Sequence, residues 1–411
     1  MRVLVIADSD SYIKWGAAVL QRMPGEWSTD FVVLATPVQP SSDQLDAALA
    51  GTRLAGTPVP VLELDEIARR AAARRPDVVL LSLRGPVQRV VIRAIMAATV
   101  TRRPVFVTGL PGISIPANRL ALSFRSQTDL VLLHSIREVR EFAALAHEMG
   151  IEQEFALATL PFLPERRTLE RSGDDIVFAA QAKVPRTKDD RMLLLGWLAE
   201  TARRHPHRRV VLKLRGRVGE PQTHAEQFPF DALLDELPDA PPNLVVATGP
   251  MSEYLQRAAG LVTISSTAAI EAAALGVPVL ALDDFGVGRR QINLVFEGSG
   301  LLGDHEALLA ADFRLPREDW LEDNYFHPAE RDDWVAAIES VVDRRAAVDL
   351  PLRRQYAGRL GGPLRHVWDR KRALGDHDHT LSGHLVMFVG RPARRAVLAL
   401  HAMRRRVRSA A

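Results

Sequence analysis

Residues 262–282 read VTISSTAAIEAAALGVPVLAL. A short apolar, β-branched run ends at Ser265, Ser266 and Thr267, and an alanine-rich stretch follows at once. Leu275 and Gly276 close that stretch, and Pro278 opens a second apolar run. Strand, tight turn, helix and strand in this order form the repeating unit of a parallel α/β sheet. Glycine just past a helix and proline soon after it are the expected stop. The hydroxyl residues stand where a helix starts, and its first N–H groups lack intrahelical partners. Those groups, with the helix dipole behind them, favour a phosphate. Glu271, one turn on, lies near the same end and is suited to accept hydrogen bonds from ribose hydroxyls. The plainer reading makes Ser266 or Thr267 an N-cap and Glu271 a helix former. A capping box places its glutamate three residues after the cap, whereas Glu271 is four after Thr267 and five after Ser266.

The same alternation extends outward on both sides. Strand-like runs occur at 2–7, 31–35, 59–64, 77–81, 104–108 and 129–134, with amphipathic stretches such as 65–75 and 137–149 between them. Residues 163–174, LPERRTLERSGD, lack periodicity and read as a linker. Strands then recur at 175–180, 209–214, 243–247, 260–264 and 278–282, with helices at 191–204, 252–259 and 267–275. Beyond Phe285 the pattern turns helical, at 330–345 and 352–374. The expected organisation is an acceptor-side domain at 1–162, a linker at 163–174 and a donor domain at 175–350, then a helical return at 351–379 and a basic tail at 380–411. Two α/β domains facing a cleft would offer a small-molecule site outside the carboxyl ends of their strands.

Composition fits this organisation. The 411 residues exceed one ordinary core, and 47% apolar with 25% charged residues is the balance of a soluble globular chain. Without cysteine there is no disulfide, thiolate metal site or cysteine nucleophile. No apolar run reaches about 18 residues, the length of a spanning helix. The start, MRVLVIADSD, does not resemble a signal peptide, so a cytoplasmic location is expected. The net charge of +3 includes seven arginines between Arg391 and Arg408, so the remainder carries 3 − 7 = −4. Cationic residues around Val397, Leu398 and Leu400 point either to an anionic membrane surface or to a helix packing back on the protein. No nucleic-acid partner is expected of the acidic remainder.

SSTAAIEAAALGVPVLAL (265–282) resembles the donor-site motif of bacterial capsule-type and sialyltransferase-like GT-B glycosyltransferases. It is also similar to a group of uncharacterised bacterial glycosyltransferases. The likeness is weaker over 175–302 and topological elsewhere. It implies a nucleotide-sugar donor, with a CMP-activated acidic sugar as first choice, and no cofactor. It assigns Ser265 and Ser266 to the phosphate and Glu271 to the nucleotide, and Thr267 beside them is a further candidate donor contact. Gln181, after the strand at 175–180, matches a polar donor contact, and Lys183, Arg186 and Lys188 follow in its loop. The family's Lys-x-His-Pro is met by Lys213 followed by Arg215 and Gly216. Arginine binds phosphate but donates no proton, so a general acid there is in doubt. The His205–Pro206 pair precedes that strand and reads as structural.

Glycosyl transfer needs a base for the acceptor hydroxyl and positive charge for the departing phosphate. Asp10, with Asp8 second, follows the first strand and is the candidate base; helix capping by Asp8, Asp10 or Ser11 is the competing reading. Gly109 and Gly112, in the loop 108–116, are expected to wall the acceptor pocket. Asp284 and Gln291 are candidate sugar contacts near the donor site. GDHDHTLSGH (375–384) carries three histidines but reads as a solvated loop, so no metal is expected. UDP-sugar 2-epimerases share the fold but resemble a pattern with Asp-Ser-Gly-Gly and paired glutamates, which Thr-Ile-Ser-Ser and a lone Glu271 do not match. The residues also leave open a CDP-polyol phosphotransferase and a non-catalytic nucleotide-sugar-binding protein.

Overall fold

In the computed structural model the alternating apolar runs form two sheets, and every recorded strand pairing within them is parallel. The structure describes residues 1–99, 102–164, 166–167, 170, 172–214, 226–348, 350–356 and 362–388. The first sheet and its helices run β1 (Arg2–Ala7), α1 (Asp10–Gln21), β2 (Ser28–Leu34), α2 (Ser42–Leu49), β3 (Val61–Leu62), α3 (Leu64–Arg74), β4 (Val78–Ser82), α4 (Gly85–Ala98), β5 (Val105–Gly109), α5 (Arg119–Arg125), β6 (Leu130–Leu133), α6 (Ile136–Met149) and β7 (Glu154–Leu157). Their strand order is β3-β2-β1-β4-β5-β6-β7.

The second sheet follows with β8 (Asp175–Ala179), α7 (Lys188–Arg204), β9 (Val210–Lys213), α8 (Phe230–Leu234), β10 (Leu244–Ala247), α9 (Met251–Leu255), β11 (Ala258–Thr263), α10 (Ala268–Ala274), β12 (Val279–Leu282), β13 (Leu302–Gly303) and α11 (His305–Leu309). Its order is β10-β9-β8-β11-β12-β13. Helices α12 (Glu318–Asp323), α13 (Trp334–Ala347) and α14 (Pro363–Leu374) come after it in the chain. The chain packs as two compact units. One comprises Met1–Thr108, Leu120–Leu130 and Glu339–Ala411; the other comprises Gly109–Arg119 and Val131–Ile338.

Period-two side-chain direction explains why the strands are apolar throughout. In the second sheet Ile176, Phe178, Val210, Leu212, Val262 and Leu280 enter a core with Leu194, Leu198 and Phe230 of α7 and α8. Their neighbours Val177, Ala179, Val211, Leu261 and Val279 enter another, with Ala268, Ala269, Ala272 and Ala273 of α10, Trp320 and Tyr325. Each fully buried branched side chain contributes about 1.5–3 kcal/mol. Gly260 is required here, because a Cβ on it would lie 2.2 Å from the Phe313 ring.

Three local expectations change. The helix expected over 252–259 ends at Leu255, since Ala258 already pairs in β11 with Asp175. The helix expected over 352–374 starts at Pro363; residues 351–356 are not helical. Proline suits a first helical position and disfavours helix in the residue before it. The segment 375–384 is not a solvated loop. Asp378 is fully buried and accepts hydrogen bonds from Arg370 Nε (3.1 Å), Thr380 N (3.2 Å) and Thr380 Oγ1 (2.8 Å). Lys371 Nζ lies 2.7 Å from the Asp378 carbonyl and 3.2 Å from His384 Nε2. This polar knot starts a helix at residues 381–388. Residues 389–411, with the arginines from Arg391 to Arg408, lie outside the described residues. Among the described residues no helix is long and apolar enough to cross a membrane.

Candidate functional site

In the second sheet the strand order reverses between β8 and β11. Connections leaving neighbouring strands in opposite directions open a crevice at their carboxyl ends, the usual ligand position in such sheets. Gln181 follows β8 and Ser265 follows β11, and the two meet there. Gln181 Nε2 donates to Ser265 Oγ (2.9 Å), and Ser265 N donates to Gln181 Oε1 (2.9 Å). Ser265 and Ser266 are each 7% exposed, while Thr267 and Glu271 are half-buried.

The turn does not present a row of open amides. Ser265 N is held by Gln181, Ser266 N donates to Thr263 Oγ1 (3.1 Å), and Ala268 N donates to Ser266 Oγ (3.2 Å). The expectation that these N–H groups stand ready for an anion is therefore corrected. Side chains of the same unit satisfy them, because a buried donor left without a partner costs about 1–3 kcal/mol.

The loop Gly109–Arg119 belongs to this same unit. Gly112 lies against the turn, for a Cβ on it would stand 3.4 Å from the Thr267 methyl. Gly109, at the end of β5, begins the loop. Gly112 thus borders the residues assigned to the donor. Glu138, which sequence reasoning missed, anchors the loop. Its fully buried carboxylate accepts Ser114 N (2.8 Å) and Tyr325 OH (2.6 Å) on Oε1, and His134 N (2.9 Å) on Oε2. Burial pushes its pKa up from 4.5 to about 7, against the opposing hydrogen bonds from Tyr325, His134 and Ser114. The available signal was Ser135-x-x-Glu138, a capping-box spacing. Ser135 caps the Glu138 amide, but the glutamate reaches His134 N.

Other assigned residues divide by surroundings. Exposed Lys183 and Arg186 line a cavity of about 260 Å³ with Ala182, Arg191, Gln227 and Phe228. Lys213 is buried; its Nζ donates to the Leu214 carbonyl (2.6 Å) and lies 5.6 Å from the Tyr254 ring centroid. Arg215 lies outside the described residues. Asp284 Oδ1 is 2.6 Å from His305 Nδ1, and this hydrogen bond raises the histidine pKa. His305 stacks on Trp197 with centroids 4.7 Å apart. Gln291 Nε2 donates to the Phe285 carbonyl (2.6 Å), which ties its loop together. His205 caps α7 and its Nε2 lies 3.0 Å from the Leu309 carbonyl, a structural place. Among the described residues no three His, Asp or Glu side chains are grouped to hold a metal.

In the first sheet the reversal lies between β1 and β4, and a polar contact spans it too. Asp8, after β1, is fully buried and accepts Arg84 Nε (2.7 Å), Arg84 N (3.2 Å) and Ser9 Oγ (3.2 Å). Burial raises its pKa, and the Arg84 charge and hydrogen bonds oppose the rise. Asp10 is exposed at the first position of α1.

The arrangement resembles solved structures at low identity. One is a "putative UDP-N-acetylglucosamine 2-epimerase" from Listeria monocytogenes, 12% identical, with a TM-score of 0.53 over 87% of this chain and 99% of that one. Another is Alr3699/HepE of Anabaena, in complex with UDP and glucose, 13% identical, with a TM-score of 0.50 over 85% and 100%. These likenesses establish the fold, two Rossmann-like α/β domains of the GT-B kind. No curated protein sequence matches the chain. Residues 3–341 match a family model described as "Putative glycosyltransferase (DUF6716)".

Proposed function

The chain belongs to that family, and from this premise we propose that it moves a sugar from a nucleotide-sugar donor to a glycan or lipid-linked acceptor in cell-surface polysaccharide synthesis. The observation that carries the proposal is the Gln181–Ser265 contact at the β8/β11 reversal. It sets polar side chains where a parallel sheet binds its ligand. Thr267 and Glu271, half-buried beside it, face the nucleotide in this reading. Ser265 and Ser266 hydroxyls, Lys213 and Arg215 serve the phosphate, with Lys183 near it. Asp284 and Gln291 serve the sugar, and the Gly109–Gly112 loop shapes the pocket.

In the transfer, the acceptor oxygen bonds to the anomeric carbon as that carbon's bond to the phosphate oxygen breaks. The acceptor proton passes to a carboxylate, Asp10 first and Asp8 second, and the phosphate leaves with the bonding pair. Asp10 is favoured because it is exposed, whereas Asp8 is fully buried. The transfer is proposed to need no metal. The domain division at 163–174, a cytoplasmic location and an anionic membrane surface as partner of Arg391–Arg408 belong to the same proposal.

The likeness of 265–282 to sialyltransferase-like enzymes favours a CMP-activated acidic sugar. A UDP-sugar is the second reading, favoured by the UDP held in Alr3699/HepE. A melting-temperature panel of CMP, CDP, UDP, GDP and dTDP separates them, because a ligand that binds only the native state stabilises it by about 2.7 kcal/mol at a hundredfold excess over Kd. CMP is expected to raise the melting temperature most, and the paired substitution S266A/E271A to abolish the rise. A response to UDP alone replaces the donor, and no response to any nucleotide refutes the reading. Turnover of a UDP-sugar without acceptor would mark an epimerase instead.

A further inference from the structure

The helix at residues 381–388, LSGHLVMF, carries its apolar side outward. Leu381 is 83% exposed, Leu385 65% and Phe388 82%. At helical spacing these three lie within about 60° of one another. The opposite side holds buried Gly383 and half-buried Val386 and Met387. A surface helix of a globular protein is patterned the other way, with its apolar stripe turned inward. The orientation is fixed at the helix start. Thr380 Oγ1 accepts Gly383 N (3.2 Å), and a Cβ on Gly383 would stand 2.6 Å from Asp378 Oδ2. The helix therefore seats its smallest residue against the buried aspartate and presents its leucines and phenylalanine to the surroundings.

We propose that this face docks on an anionic lipid surface. Charge selects that occupant. No acidic residue follows Asp378, and seven arginines lie between Arg391 and Arg408. Large apolar side chains joined to a cationic stretch are the pairing that holds an interfacial segment, the former entering the headgroup boundary and the latter drawn to anionic headgroups. The inference deepens the membrane part of the proposed function, and it stands on a helix face rather than on the arginines alone.

The test is co-sedimentation of the full chain, without nucleotide, with vesicles of phosphatidylcholine or of phosphatidylcholine containing about 30% phosphatidylglycerol. The chain is expected to sediment with the anionic vesicles and not with the neutral ones. The variant L381S/L385S/F388S, with melting temperature unchanged because these side chains are exposed, is expected to bind about tenfold or more weakly. F388S alone is expected to fall between the two. Failure of the native chain to bind anionic vesicles overturns the proposal, as does equal binding by the triple variant. A dimer that the triple variant disperses, with no vesicle binding, would assign the face to a second copy. The nucleotide panel is independent of lipid, so either proposal can fail without the other.

Discussion

Replacing Glu138 with glutamine should change how stability depends on pH. The Glu138 carboxyl is fully buried, and its pKa rises from 4.5 to about 7. In the native protein it keeps its proton at pH values where the unfolded chain has already lost one. Stability therefore declines as pH rises through that window, and it levels off above the folded-state pKa. At about 1.4 kcal/mol per pH unit the decline amounts to about 3 kcal/mol. Glutamine is neutral throughout and abolishes this contribution. It also loses one bond, because its NH2 group faces the Ser114, Tyr325 or His134 donor, at a cost of about 1–2 kcal/mol. The variant should thus be the less stable protein near pH 5 and the more stable one near pH 8, with the curves crossing between them. Urea unfolding of both proteins across that range measures it. The raised pKa values of Asp8 and His305 give slopes of the same sign, declining with pH, in both proteins and cancel in the difference. Parallel curves would refute the assignment of a raised pKa to Glu138.

Two further substitutions test the frame of the site. Gln181→Ala leaves the buried Ser265 amide without its acceptor, so a loss of about 1–3 kcal/mol in urea unfolding is expected, together with a smaller nucleotide-induced rise in melting temperature. Gly260→Ala forces a methyl group into the Phe313 ring and should cost about 1–3 kcal/mol, partly restored by adding Phe313→Leu.

Much of the fold was readable because its strands are buried on both faces. The run at 2–7 coincides with β1, and 175–180 with β8 extended by one residue. Such runs need only local composition to be recognised. The start of α14 was placed too early, at 352, although Pro363 marks it. Gln181 and Ser265 could be singled out because each follows a strand, but their mutual contact depends on which strands lie side by side. For the same reason the amides of the turn looked open: Thr263 Oγ1 and Gln181 Oε1 cannot be placed from spacing alone. Glu138 was hidden in an ordinary amphipathic helix pattern. Its partner Tyr325 lies 187 positions away, and nothing local announces that a carboxylate will be enclosed. Asp378 was misread similarly, since Arg370 and Lys371 reach it only after the chain has turned back.

The turn that follows β11 has a thermodynamic consequence for any guest. Because Gln181, Thr263 and Ser266 already occupy the amides of residues 265, 266 and 268, an arriving molecule exchanges bonds at those three instead of adding them. Calorimetry on such a site records little heat for the phosphate portion, and discrimination falls to the rest of the molecule. A bare inorganic anion, with nothing else to offer, is then a weak competitor.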